Sequence, residues 1–177
     1  MNRELIRYIL RFVLVVLVQV LVLNNLQFSG YINPYVYVWF ILVLPFDTPG
    51  WLVLILAFFL GLGIDLFPQG ISGPGSSLGI HAAATVFLAF MRPYVLNWIG
   101  SREERDSRYI PDAVHLGWLL FAGYVMIMAG MHHFMLFTIE EFSFRHLLRV
   151  LFRTLLSTFF TGILILIWEA IRPSGPK

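Results

Sequence analysis

Asp65 and His81 are the two side chains in this sequence best placed to hold a charge or pass a proton within apolar surroundings. They flank a stretch of turn residues, Pro68-Gln-Gly-Ile-Ser-Gly-Pro-Gly-Ser-Ser77. Asp65 falls near the end of one apolar block, where a carboxylate opposes the helix dipole and needs a reason to be present. His81 falls in the first turn of the next block. An Asp65–His81 hydrogen bond that pins a helical hairpin is the structural expectation; a partner- or ligand-binding role and a proton relay are the functional ones. Arg145, Arg149 and Arg153 repeat at i, i+4 and i+8 and form one basic stripe, with Glu141 four residues before Arg145 and able to pair with it. Arg153 lies about a turn inside the apolar zone and requires a carboxylate or an aqueous pocket. Asp65, at a comparable depth, is its candidate partner. The stripe reads either as snorkelling side chains at lipid headgroups or as a docking face for an acidic partner segment. His132 and His133 point about 100° apart on a helix, a poor metal pair, and are expected at the membrane interface, as is His115.

No H-E-x-x-H, G-x-S-x-G or phosphate-binding loop is present, and there is no cysteine. Nothing assembles a nucleophile, a base and an orienting group. The residues thus imply no catalytic centre, metal or cofactor.

The elements that must carry these side chains follow from composition. Hydrophobic residues make up 59% of the 177, and charged residues 12%, against about 25% charged in a soluble domain. A water-soluble fold of this size cannot hide so much apolar side chain, which excludes a soluble enzyme, a nucleic-acid reader and a disordered tail. The net charge of +2 reflects arginines set between apolar blocks rather than a nucleic-acid patch.

The blocks predict an all-α integral membrane protein of one domain, with six transmembrane helices at about 8–23, 31–46, 51–67, 78–98, 113–137 and 147–171, and a charged loop at 99–112. Asn24-Asn25-Leu26-Gln27 after the first block carries no cleavage signature, so that helix is expected to be retained. In the second block Pro34 suits a first helical turn and Pro45 ends the helix. Arg92-Pro93 is expected to kink or end the fourth. With both termini cytoplasmic, nine basic residues lie inside and three outside or entering the last helix, in keeping with the positive-inside rule. Small residues at Ala57/Gly61, Ala113/Gly117, Thr158/Gly162 and Gly123/Gly130 are spaced for close helix packing.

The segment from Asn33-Pro34 through Pro45-Phe46, then Gly61-Leu-Gly-Ile-Asp65, Gly79-Ile-His81-Ala-Ala-Ala84 and Met91-Arg92-Pro93 resembles the rod-shape-determining membrane protein family MreD, in the form found on the Bacteroidetes side of that family. The resemblance covers about Tyr31 to Trp98, and Phe144-Arg145 echoes a family Phe-Arg at the start of the last span. It implies a multi-pass protein of the bacterial inner membrane whose fold is similar to the substrate-binding subunits of energy-coupling-factor transporters. It further implies a non-enzymatic scaffold of the wall-elongation complex. Such a scaffold binds MreC directly and acts in company with RodA, a class B penicillin-binding transpeptidase and the MreB filament, and has no nucleic-acid partner. Pro34, Pro45, Gly61, Asp65, Gly79, His81, Arg92, Arg145, Arg149 and Arg153 are the candidate structural or partner-binding residues. Two other functions compete. A small-molecule carrier subunit would build a polar pocket from Asp65, His81, Arg153, Asn24 and Asn25. An intramembrane enzyme would use His132, His133 or Asp65.

Overall fold

The computed structural model of the chain describes residues 2–25, 32–67, 78–99, 110–141 and 146–172. Among them there are helices and turns and no strand. Helix α1 (Asn2–Leu21) is followed by a 3-10 turn, Leu23–Asn25. A second 3-10 turn, Val36–Val38, runs into the single-turn α2 (Trp39–Leu42). Then come α3 (Gly50–Asp65), α4 (Ile80–Ile99), α5 (Ala113–Leu116), α6 (Trp118–Glu141) and α7 (Leu147–Ile171). Four stretches, Ile6–Asn25, Ile80–Ile99, Trp118–Glu141 and Leu147–Ile171, are long and apolar enough to cross a membrane, and α3 is a shorter apolar helix of 16 residues. This is the architecture of an all-α membrane protein. The outward faces fit that setting: α1 exposes Ile6, Leu10, Leu14, Leu17 and Leu21, and α7 exposes Leu148, Leu155, Phe159 and Ile171, a surface that only lipid or partner helices can cover at low free energy.

The second block departs from expectation. Instead of one helix over 31–46, helical geometry is confined to Val36–Leu42, and the segment forms the centre of the bundle. Residues 34–44 are buried throughout except for Val36. The cause is local. Asn33 precedes a proline, which disfavours the helical region, and Pro34 brings no N–H. Irregular backbone at this depth is tolerated only when protein groups satisfy it, and they do. The Asn33 N–H donates to Ser157 Oγ at 3.1 Å, the Tyr35 N–H to Thr161 Oγ1 at 3.0 Å, and the Tyr37 N–H to Gln19 Oε1 at 3.4 Å.

Around this segment α3 packs along α4, α4 along α6 and α6 along α7, while α1 leans on α3 and on the segment itself. The α3–α4 pairing explains Gly61. A Cβ there would come within 2.5 Å of Ala82 Cα and of the His81 carbonyl oxygen, so only glycine lets the two backbones touch. Ala57, one turn earlier, is fully buried, as the small-residue spacing predicted. Gly130 faces Thr158, and Gly162 faces Met126, but a Cβ on Gly123 would meet nothing within 4 Å. The expected fifth span is divided at Gly117, whose φ of +78° is a left-handed turn between α5 and α6. Its role is to break the helix rather than to pack against another. Pro93, in contrast, lies inside α4 and does not end it. The Gly-rich stretch 68–77, the charged stretch 100–109 and Arg145 lie outside the described residues.

Candidate functional site

Asp65 is completely buried and serves two helices. It ends α3, but its carboxylate reaches across to the start of α4. Oδ1 accepts the backbone N–H of His81 at 3.1 Å and His81 Nδ1–H at 2.9 Å; Oδ2 accepts the N–H groups of Gly79 at 2.9 Å and Ala82 at 3.1 Å. The His81 tautomer follows because a carboxylate only accepts. This resolves the dipole objection: the unfavourable end of α3 is outweighed by the positive end of α4 and its otherwise unpaired N–H groups. The expected Asp65–His81 bond is therefore present, as one part of a cap.

Next to this knot the core segment carries a cluster of aromatic and histidine rings. Tyr35 lies 5.0 Å from His81, 6.1 Å from His132 and 5.4 Å from His133 between ring centroids. Both α6 histidines are fully buried, not interfacial as expected, because α6 is enclosed by α4, α7 and the core segment, so that two directions about 100° apart both point inward. Thr85 donates its single proton to the His81 carbonyl at 2.6 Å. The Tyr37 hydroxyl lies 2.8 Å from His132 Nε2 and 3.4 Å from Thr85 Oγ1, and the His132 tautomer sets which group donates in the first of these bonds. On the other ring, His133 Nδ1 lies 2.7 Å from the Ala129 carbonyl, and Nε2 lies 3.2 Å from the Asn33 carbonyl and 3.3 Å from Thr161 Oγ1, which itself accepts from the Tyr35 N–H. Gln19 binds the segment from the α1 side, donating to the Pro34 carbonyl at 3.0 Å and to Asn24 Oδ1 at 2.9 Å. Asn25 turns back to the carbonyls of Val20 and Leu21.

The far end of the segment is closed by cations. Arg92, buried on α4, donates to the Leu44 carbonyl, and the Tyr124 hydroxyl donates to that of Leu42 at 3.2 Å. These bonds take up carbonyls that a helix broken before Pro45 leaves unpaired. Trp39 Nε1–H donates to Glu169 Oε2 at 3.3 Å. Arg172 Nη2 binds Glu169 Oε1 at 2.6 Å and Asp112 Oδ2 at 2.8 Å. Asp112 also caps α5, accepting the N–H groups of Val114 and His115 and the His115 ring Nδ1–H.

Burial acts to raise the Asp112 carboxyl pKa. The hydrogen bonds and positive field of His115, together with Arg172, outweigh it and hold the pKa below the ordinary carboxylate value. A depressed carboxylate contributes stability that is complete above its unfolded pKa of about 3.9 and is lost as pH falls through the lower folded value. Melting temperature in detergent should therefore fall on acidification below about pH 4, and Asp112→Asn should flatten that slope. Removing the cap altogether, as in Asp112→Ala, should cost about 1 kcal/mol near neutral pH. An unchanged acid slope in Asp112→Asn would show that other carboxylates govern it.

The basic stripe finds its acids within the chain. Arg153 binds Glu140 at 3.0 Å and Glu141 at 3.6 Å, and its guanidinium lies 4.2 Å from the Phe137 ring centroid. Asp65, the partner expected for it, is occupied by α4. Depth alone suggested that match, but the carboxylates at the end of α6 are the ones beside the start of α7. Arg149 is 3.9 Å from Glu141 with a side chain 53% exposed. Of the residues proposed for a carrier pocket, Asp65 and His81 join α3 to α4, Arg153 joins α6 to α7, and Asn24 and Asn25 finish α1, so the structure does not bring them together as one set of ligands. Among the described residues no group of three or more His, Asp or Glu side chains could hold a metal.

Sequence reasoning passed over Gln19, Ser157, Thr161 and Glu169, which hold the core segment in place. Gln19 and Glu169 left a signal, each being a polar residue within an apolar helix. Ser157 and Thr161 left little, since hydroxyls on membrane helices commonly bond within their own helix. Neither a protein-family model, nor a curated protein, nor a solved structure matches the chain.

Proposed function

We propose that the chain is a non-enzymatic scaffold of the MreD type in a bacterial inner membrane, holding an MreC-like single-span protein and, through it, biasing a wall polymerase and transpeptidase. In this reading there are six crossings, with the core segment and α3 as the second and third and both termini cytoplasmic. The direction of the chain is compatible with that count. Segment 33–44 runs antiparallel to α6, with Asn33 at His133 and Leu42 at Tyr124, and parallel to α7, with Asn33 at Ser157 and Trp39 at Glu169. Arg172 and Asp112 meet at one end, while Arg153 meets Glu140 at the other.

The observation that carries the reading is where the resemblance falls. Gly61, Asp65, Gly79 and His81 interlock α3 with α4. The stretch that includes Pro34 and Pro45 forms the centre, and Arg92 closes it. These polar groups are spent on internal bonds, which leaves apolar helix faces as the surface available for recognition, and association between membrane helices is governed by packing. Affinity purification of the tagged chain from gently solubilised native membranes tests this. Recovery of a single-span coiled-coil protein with a cell-wall polymerase and transpeptidase would support it. Recovery of ATP-binding-cassette subunits with a coupling protein would make the chain a transporter subunit instead.

The basic stripe supplies a sharper version. Arg149→Glu changes a half-exposed charge whose only ion pair among the described residues is the long contact with Glu141, so if the start of α7 docks an acidic partner segment, co-purification should drop several-fold with a smaller fall in melting temperature than Arg153→Glu produces. Arg153→Glu should lower melting temperature more, because it places a third acid beside Glu140 and Glu141. Undiminished recovery with Arg149→Glu would remove the stripe from the docking surface.

A further inference from the structure

An apolar groove of about 530 Å³ opens between α1 and α3, at the end of the molecule where both helices begin. Phe12, Phe40, Leu44, Leu52, Leu56 and Phe59 form its walls, and Asp47 and Thr48 stand at its mouth. The recess has a structural origin. Asp65 locks the end of α3 to the start of α4, but α3 has 16 residues and α4 has 20. At 1.5 Å per residue α3 stops roughly 6 Å short of its neighbour at the opposite end. In a bilayer, a helix shorter than the hydrocarbon thickness is met by local thinning that brings headgroups inward, here toward the turn that carries Asp47. Tyr8 also lines the groove, and the Arg11 guanidinium lies 5.9 Å from its ring centroid. Neither Arg11 nor Asp47 has an ion-pair partner among the described residues.

We propose that this groove holds one phospholipid with a zwitterionic, primary-amine headgroup, its acyl chain against the phenylalanine and leucine walls, its phosphate on Arg11 and its ammonium on Asp47. Two charges of opposite sign beside an apolar slot match such a headgroup, whereas an anionic lipid satisfies Arg11 and is repelled by Asp47. The inference needs the chain to be embedded in a bilayer and does not depend on the scaffold function.

The test is native mass spectrometry of the full chain released from vesicles of equal parts phosphatidylethanolamine and phosphatidylglycerol. One phosphatidylethanolamine should be retained per chain, preferred over phosphatidylglycerol by about fivefold, as one exposed charge contact provides. Asp47→Asn should keep a bound lipid and lose the preference; because Asp47 is exposed, this variant tests the proposal without disturbing the fold. Leu56→Trp, which sets an indole across the slot, should lower retention of the bound lipid several-fold. Equal retention of both lipids by the unaltered chain, an unchanged preference in Asp47→Asn, or crosslinks from position 48 to a partner helix in native membranes would each overturn it.

Discussion

Asp65→Asn should destabilise the chain by about 3–5 kcal/mol, although it is the closest substitution in shape. The reason is the number of donors. One carboxylate oxygen accepts from the His81 backbone and ring, the other from the N–H groups of Gly79 and Ala82. An amide has one oxygen, so whichever way Asn turns, its NH2 group faces two N–H donors, both buried on the His81 side and one buried on the other. Unpaired donors at a helix start have no water to turn to in a bilayer. Denaturation in mixed micelles should show the loss, and crosslinking between the end of α3 and the start of α4 should fall with it. A change below about 1 kcal/mol would mean that water reaches these N–H groups and that the knot is not a buried cap. If the scaffold reading holds, the variant also loses its partner in co-purification, because α3 and α4 no longer present one face.

Gly61→Ala is the second large effect, and two opposing magnitudes decide its sign. Within a helix, alanine is favoured over glycine by about 1 kcal/mol. Here the new methyl would lie 2.5 Å from Ala82 Cα and from the His81 carbonyl oxygen, both backbone atoms, so there is no flexible side chain to swing aside. Overpacking of this kind costs about 1–3 kcal/mol and occasionally more. Forcing α3 from α4 also stretches the Asp65 bonds, which start one turn further on. The net result should be destabilisation, and it should be less than additive with Asp65→Asn because both break the same junction. Gly123→Ala is the control: a Cβ there meets nothing within 4 Å, so it should be neutral or stabilising by up to about 1 kcal/mol. Equal melting temperatures for the two variants would show that α3 and α4 are not in backbone contact.

The sequence made the two ends of this junction legible. A carboxylate at the wrong end of a helix needs a nearby cation or helix start, and His81 marks where that start lies. Its full form was not legible, because three of the four donors are backbone groups that any residue would supply. The same holds for Arg153: the need for a carboxylate could be read from its depth, but the choice between Asp65 and Glu140 depended on which helices adjoin.

Composition and the lengths of the apolar blocks were enough to determine an all-helical membrane protein, because the free energy of exposing so many apolar side chains to water depends on their number and not on their arrangement. The bounds of the last helix, 147–171, followed in the same way. Tertiary structure decided the rest. Segment 33–46 is apolar enough to be a span, and only the hydroxyls, amide and cation offered by α1, α4 and α7 let it run through the centre with helical geometry confined to Val36–Leu42. The buried positions of His132 and His133 arise from the same enclosure. An apolar residue records that it must leave water; whether lipid or protein receives it is settled by the neighbours that can satisfy the backbone beside it.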